Sequence, residues 1–320
     1  MEESFIPSDF QEFPLSMHKT MLGDSVRMSA FASAIKKSVK PGDVVIDIGT
    51  GTGVMAFLAH QAGAEEVVGI DCNDSVLRYA RKVKESEFPN ANISFYQGDA
   101  RRVVENLANV KADVVICELL GTCGKDENIV EIAKNIRERY LKPDGILIPM
   151  NLALWIAPIR SDEIYQKLRF WSQRIHGISF AQFQDLAFQN IYTLQKEKKS
   201  VVCAPQCLQE ICLYDSLANS EENTVSFKFL ESATVHGFLG WFQSELSENN
   251  QIDTGPFSND THWSQFFFPC GEELNLNQGD VLDVTFRESI DRGDRIWRWR
   301  GTLFDKGVKL FDLSAQRPNW

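Results

Sequence analysis

Five short β-branched runs alternate with helix-patterned segments through the first half of the chain, and this rhythm restricts the possible folds most. The runs are 43–48 (DVVIDI), 66–71 (EVVGID), 92–96 (NISFY), 112–117 (ADVVIC) and 145–148 (GILI). Most are apolar at nearly every position, as expected of strands covered on both faces. Between them, 53–62, 74–86, 101–108 and 126–140 have the spacing and the Glu, Lys and Arg content of crossover helices. The alternation predicts an α/β unit over residues 1–150, a doubly wound, mostly parallel Rossmann-like sheet. Pro143-Asp144-Gly145 forms a turn into the last run.

After Pro149 the rhythm changes. Segments 151–160, 200–215, 224–232, 234–246, 263–269, 280–287 and 295–304 read as strands with partial alternation and no crossover helices between them. Residues 151–320 therefore predict an antiparallel β-barrel or sandwich. Segment 161–198 interrupts it with helical spacing and carries Phe170, Trp171, Phe180, Phe183, Leu186 and Phe188. That is more apolar surface than a short excursion buries alone, so the segment folds over the barrel or docks on another subunit.

Charge and cysteine usage narrow the function class. Lys+Arg 33 against Asp+Glu 44 gives a net charge of -11. An acidic surface disfavours direct nucleic-acid binding and anionic membranes, and leaves room for a basic partner. No apolar stretch approaches the roughly 20 residues of a membrane span. The opening MEESFIPSDF lacks the basic and apolar regions of a signal peptide. Seven cysteines, an odd number among apolar neighbours, read as thiols of a reducing compartment, so a cytoplasmic protein is expected. Cys203, Cys207 and Cys212 have no CxxC spacing and no nearby His, so no metal is expected.

The chemistry concentrates at the ends of the first four runs. Asp47-Ile48-Gly49-Thr50-Gly51-Thr52-Gly53 follows the first, where glycines let a backbone approach a ligand and turn into a helix N-terminus. Asp71 ends the second run, where a carboxylate can take both ribose hydroxyls of an adenosine. Asp99 follows the third in Gln97-Gly98-Asp99, placed for an adenine amino group, and Glu118 follows the fourth. All belong to the rim where open α/β sheets bind ligands. A dinucleotide site wants G-x-G-x-x-G, but Val54 takes the third glycine's place, and Asp47 would repel a phosphate. A sulfonium cofactor beside a zwitterionic amino acid fits better than NAD.

The chain resembles the protein arginine methyltransferase family over nearly its whole length. The family's glycine loop matches Asp47–Gly53 and its ribose-binding acid matches Asp71. Its paired-glutamate loop matches Glu118-Leu119-Leu120-Gly121-Thr122-Cys123-Gly124-Lys125-Asp126-Glu127, and its Thr-His-Trp loop matches Thr261-His262-Trp263. The family's N-terminal helix is similar to residues 18–27. The resemblance implies S-adenosyl-L-methionine as cofactor and S-adenosyl-L-homocysteine as its product. It implies cofactor contacts from His18, Met21, Arg27, Asp47, Gly49, Gly51, Gly53, Asp71, Asp99, Ala100 and Glu118. Catalytic roles fall to Glu118, Glu127 and His262, with Asp24 pairing to His262. Segment 161–198 sits where the family carries a dimerisation arm, which implies a homodimer.

The pair of glutamates has its own physical logic. A guanidinium has a pKa above about 12, so an enzyme holds it rather than deprotonating it before attack. Two carboxylates can grip its forked edge and fix its plane. Glu127 reads as a first-turn residue of the next helix, a position that also suits the helix dipole. His60, His176 and His236 read as structural. Trp297-Arg298-Trp299-Arg300 reads as two inward aromatics alternating with two solvated arginines. The chain departs from the family ahead of His18, where Ser8-Asp9-Phe10-Gln11-Glu12-Phe13-Pro14 replaces a Tyr-Phe-x-x-Tyr motif. Cys117 also stands where serine is usual. The acceptor is therefore a basic protein or a small cationic molecule. The alternatives are a small-amine N-methyltransferase and a non-catalytic cofactor-binding relative.

Overall fold

The computed structural model describes residues 14–99, 102, 107, 110–122, 124–194, 201–215, 222–291, 294–304 and 307–316. Its first half is built on β1 (Val44–Ile48), β2 (Glu66–Asp71), β3 (Ile93–Gln97), β4 (Ala112–Cys117) and β5 (Leu141–Ile148), ordered β3-β2-β1-β4-β5. Every pairing is parallel. β1 and β4 are buried almost throughout because helices cover both faces, which is why they lack alternation. The register places Ile48 beside Ile70 and Cys117, and Asp71 beside Gln97. The residues following these strand ends therefore share one rim.

Two helices precede the sheet, α1 (Leu15–Gly23) and α2 (Ser25–Ser38), where the sequence read as one. They break at Asp24, whose carboxylate accepts from Arg27 N–H and caps α2. α3 (Val54–Gln61) follows the glycine loop, and α4 (Asp74–Glu87) is capped by the Asn73 side chain. α5 (Ile129–Arg139) buries Ile129, Ile132, Ala133 and Ile136, the i, i+3, i+4, i+7 stripe of a core-facing helix. Of the expected helix over 101–108, only Arg102 and Leu107 lie within the described residues.

The second half begins with β6 (Asn151–Ile159). The excursion that follows is α6 (Asp162–Leu168), a short hairpin of β7 (Arg174–Ile175) and β8 (Ile178–Ser179), and α7 (Gln184–Phe188). It is less helical than its spacing suggested, and residues 195–198 lie outside the described residues. β9 (Tyr192–Leu194), β10 (Gln206–Cys212), β11 (Glu222–Lys228), β12 (Ala233–Ser247), β13 (Asn250–Asp253), β14 (Gln265–Leu276), β15 (Val281–Asp291), β16 (Asp294–Leu303) and β17 (Val308–Gln316) complete the chain. One antiparallel sheet runs β10-β6-β12-β14-β9 with β13 on β12; the other runs β11-β15-β16-β17.

Aromatic rings bridge the two sheets. Phe238 of β12 stacks on Phe227 of β11 at 5.9 Å, and Phe268 of β14 packs on Trp297 and Trp299 of β16 at 5.8 and 5.5 Å. Trp297 and Trp299 are buried while Arg298 and Arg300 are exposed, the alternation read from the sequence. β17 was not read from the sequence as a strand.

Candidate functional site

The glycine loop makes a sharp turn at the end of β1. Gly49, Gly51 and Gly53 all have positive φ, and Gly53 precedes α3 in the left-handed region. A Cβ on Gly51 would lie 3.2 Å from His18 Cε1, so the loop packs on α1 as well as on the sheet. Asp71 closes the neighbouring strand. Its Oδ2 accepts from Gly51 N–H and its Oδ1 from Asn73 N–H, each at 2.8 Å. Gly98 N–H donates to the Asp71 carbonyl, which brings the Gly98-Asp99 turn to the same edge. Ala100 lies outside the described residues.

Helices α1 and α2 fold over this rim. Arg27 is buried, with Nη2 2.5 Å from Glu118 Oε2 and Nη1 donating to the Met21 carbonyl at 3.2 Å. Its Nε is buried without a hydrogen-bond partner, a donor placed for an anionic group. Burial pulls the His18 imidazole below its ordinary pKa; Asp71 opposes that shift and Arg27 adds to it. His18, Asp71 and Arg27 thus share one electrostatic neighbourhood.

The Thr-His-Trp loop reaches the site through Asp24. His262 N–H and Nδ1 both lie 2.8 Å from Asp24 Oδ2, and because a carboxylate only accepts, Nδ1 carries the proton. Burial pushes the Asp24 carboxyl up, but hydrogen bonds from Arg27 and His262 outweigh it and hold the group below its ordinary value. Trp263 Nε1 donates to the Leu120 carbonyl at 2.7 Å, fastening the same loop to the glutamate-bearing segment. These bonds join three regions far apart in sequence.

Glu118 follows β4, half-buried beside Cys117. Burial and then the charges of Asp47, Glu118 and Glu127 push the Cys117 thiol up. Glu127 is exposed and stands outside α5, which starts at Ile129 after the left-handed Asn128. The expected first-turn position is therefore corrected. A turn closed by Asn128 N–H on the Lys125 carbonyl, at 3.2 Å, carries Glu127 instead.

A family model described as "Methyltransferase domain" matches residues 39–199, and one described as "Arginine methyltransferase oligomerization subdomain" matches 151–296. The chain is 27% identical over 277 residues to protein arginine N-methyltransferase 1 of Dictyostelium discoideum, covering 84% of this chain and 80% of that protein. It is 28% identical over 307 residues to human protein arginine N-methyltransferase 2, covering 89% of this chain and 68% of that protein. The chain belongs to the protein arginine methyltransferase family. In fold it matches the Trypanosoma brucei PRMT1 enzyme-prozyme heterotetrameric complex with AdoHcy (TM-score 0.85, 21% identity, 95% of this chain and 98% of that one). It also matches Arabidopsis thaliana protein arginine methyltransferase 10 (TM-score 0.80, 23% identity, with the same coverage).

In this methyltransferase Asp24 contacts Arg27 and His262, and Arg27 contacts Glu118. Two contacts were not anticipated. Arg27–Glu118 pairs a helix residue with the glutamate loop, and the Trp263 indole holds that loop at the Leu120 carbonyl. No periodicity marks either one, because both depend on chain segments that meet only in the folded state.

Asp47 supplies a pH prediction. Burial raises its carboxyl from 3.8 to about 7, against hydrogen bonds from Thr50 and the Ala56 backbone. The folded state therefore holds a proton that the unfolded chain releases above pH 3.8. This contribution to stability is complete below that pH and is lost as pH rises toward 7. Urea midpoints measured from pH 4 to 8 are expected to fall more steeply for the parent than for Asp47→Asn. Parallel curves would refute the shift.

Proposed function

We propose that this methyltransferase transfers the methyl group of S-adenosyl-L-methionine to a guanidinium nitrogen of arginine in a basic protein. The observation that carries the reading is the Arg27–Glu118 pair, which fixes Glu118 beside a rim built of glycines and Asp71, in a loop that carries Glu127 nine residues further on. The residues fit the cofactor. The unpartnered Arg27 Nε suits its carboxylate, Asp71 its ribose hydroxyls, and the close-packed glycine loop its uncharged backbone. His18, Met21, Asp47, Gly49, Gly51, Gly53 and Asp99 complete that surface. Bound S-adenosyl-L-methionine supplies an electrophilic methyl group on a sulfonium.

The protein's own part is orientation. Glu118 keeps Oε2 on Arg27 and turns Oε1 to the acceptor, while Glu127 grips the other edge of the guanidinium. Alignment of this kind supplies several kcal/mol, up to about 10 in favourable cases, without a strong base. His262, held by Asp24, takes the released proton on Nε2 after transfer. Incubating the protein with cofactor, arginine-rich peptides and a panel of small amines tests the reading. Transfer to the amines alone would move the acceptor to a small cation, and cofactor binding without any transfer would leave a non-catalytic relative.

In this reading residues 1–150 hold the cofactor and the two antiparallel sheets of 151–320 close as a barrel around the acceptor. The excursion 161–198 joins two copies. Phe170, Ile178, Phe183 and Leu186 are exposed there, with Trp171 tilted against Phe183 at 5.2 Å between ring centroids, so the surface is apolar and already ordered. Light scattering is expected to give twice 36.3 kDa at micromolar concentration. Replacing Phe183 and Leu186 with Glu should leave a monomer, and a monomeric parent would count against the homodimer. Among the described residues no helix is long and apolar enough to cross a membrane, and six cysteines are free thiols, which supports a cytoplasmic location.

A further inference from the structure

The loop between the two glutamates sends one side chain away from the acceptor. Lys125 is 7% exposed, and its Nζ enters the antiparallel half of the molecule. There it pairs with Glu288 of β15, donates to Gln209 Oε1 of β10 at 3.0 Å, and lies 5.2 Å from the centroid of the Trp297 ring of β16. Glu288 and Gln209 are themselves largely buried. Three strands thus converge on one loop cation, and a lysine so enclosed has a single place to sit.

The geometry of the loop transmits that constraint. Gly124, at φ 74, presses on Leu152 and Phe242, where a Cβ would lie 2.6 Å from Leu152 Cδ1. Lys125 is the first residue of the turn that Asn128 N–H closes, and Glu127 is its third. Asp126 is buried against Gly121, whose Cβ would lie 2.5 Å from that of Asp126. Within this turn Lys125 and Asp126 point inward, whereas Glu127 and Asn128 are exposed. Charges go inward where a loop would ordinarily keep them in water, and the sequence reading assigned Lys125 no role.

We propose that Lys125 is a positioning residue: its ion pair with Glu288 pins the turn to the antiparallel sheets and thereby sets where Glu127 meets the acceptor. Packing alone resists sliding only weakly, whereas an ion pair bordered by an amide and an aromatic face defines one location. Because the role proposed for Glu127 is toward the acceptor, the effect falls on transfer and leaves cofactor binding untouched. This inference rests on the acceptor role proposed above for Glu127.

The test uses the full chain, with turnover of an arginine peptide expressed per cofactor-binding site counted by calorimetry. Lys125→Met is expected to lower kcat about 100-fold while cofactor affinity changes less than about twofold. Lys125→Met combined with Glu288→Leu removes the pair without stranding a charge, so the Tm should return to the parent's value while kcat stays low. Regained turnover together with regained Tm in the double variant would overturn the proposal, as would a fall in binding sites proportional to the fall in turnover. A Lys125→Met protein as active as its parent would overturn it alone. A parent that binds cofactor yet methylates no arginine peptide would overturn the acceptor reading first and this inference with it.

Discussion

Glu127→Gln is expected to lower transfer to an arginine peptide by about 1,000-fold, with cofactor affinity unchanged. The substitution keeps the shape of the side chain and removes its charge. Glu127 is exposed and lies outside α5, so the fold has little at stake there, and thermal stability should remain near the parent's. The guanidinium, by contrast, loses one of the two carboxylates that fix its plane and draw positive charge away from the attacking nitrogen. The same change at Glu118 is less selective, because its Oε2 also pairs with the buried Arg27, and the loss would strand that cation. Turnover by Glu127→Gln at the parental rate would remove the paired-carboxylate mechanism.

Asp24→Ala is expected to reduce stability by about 3 kcal/mol, combining a lost helix cap with lost charge-assisted hydrogen bonds. The Asp24 carboxylate accepts from Arg27 N–H, His262 N–H and His262 Nδ1, so one side chain caps α2 and tethers a loop 238 residues away. Differential scanning calorimetry should show the transition lowered by roughly 5–8 °C. Asp24→Asn should recover most of the cap but leave the imidazole without its charged partner, so stability returns further than turnover does. An unchanged transition in Asp24→Ala would show that the two helices and the Thr-His-Trp loop hold their places by other means.

Much of this protein is legible in its sequence. Parallel strands buried on both faces need continuous apolar runs, and DVVIDI, EVVGID and ADVVIC show them directly. The glycine loop, Asp71 and Glu118 are short local patterns whose residue types are set by backbone conformation or charge, whereas Thr261-His262-Trp263 is read through the family resemblance. The alternation of Trp297 and Trp299 with Arg298 and Arg300 reads correctly for the same reason, since a strand's period of two is local.

Tertiary structure decided the remainder. Helix α5 begins after Glu127 because Asn128 adopts a left-handed conformation within a turn that the adjoining sheets support, and helical spacing in the sequence extends straight through it. The single predicted N-terminal helix becomes two because Asp24 caps α2 while binding His262, a partner visible only once the chain has folded back. Nothing in the sequence singles out Lys125, and Glu288, Gln209 and Trp297 make it a buried anchor. Periodicity and turn chemistry act between neighbours along the chain. The pairing of a charge with a residue more than a hundred positions away depends on which surfaces the fold brings together.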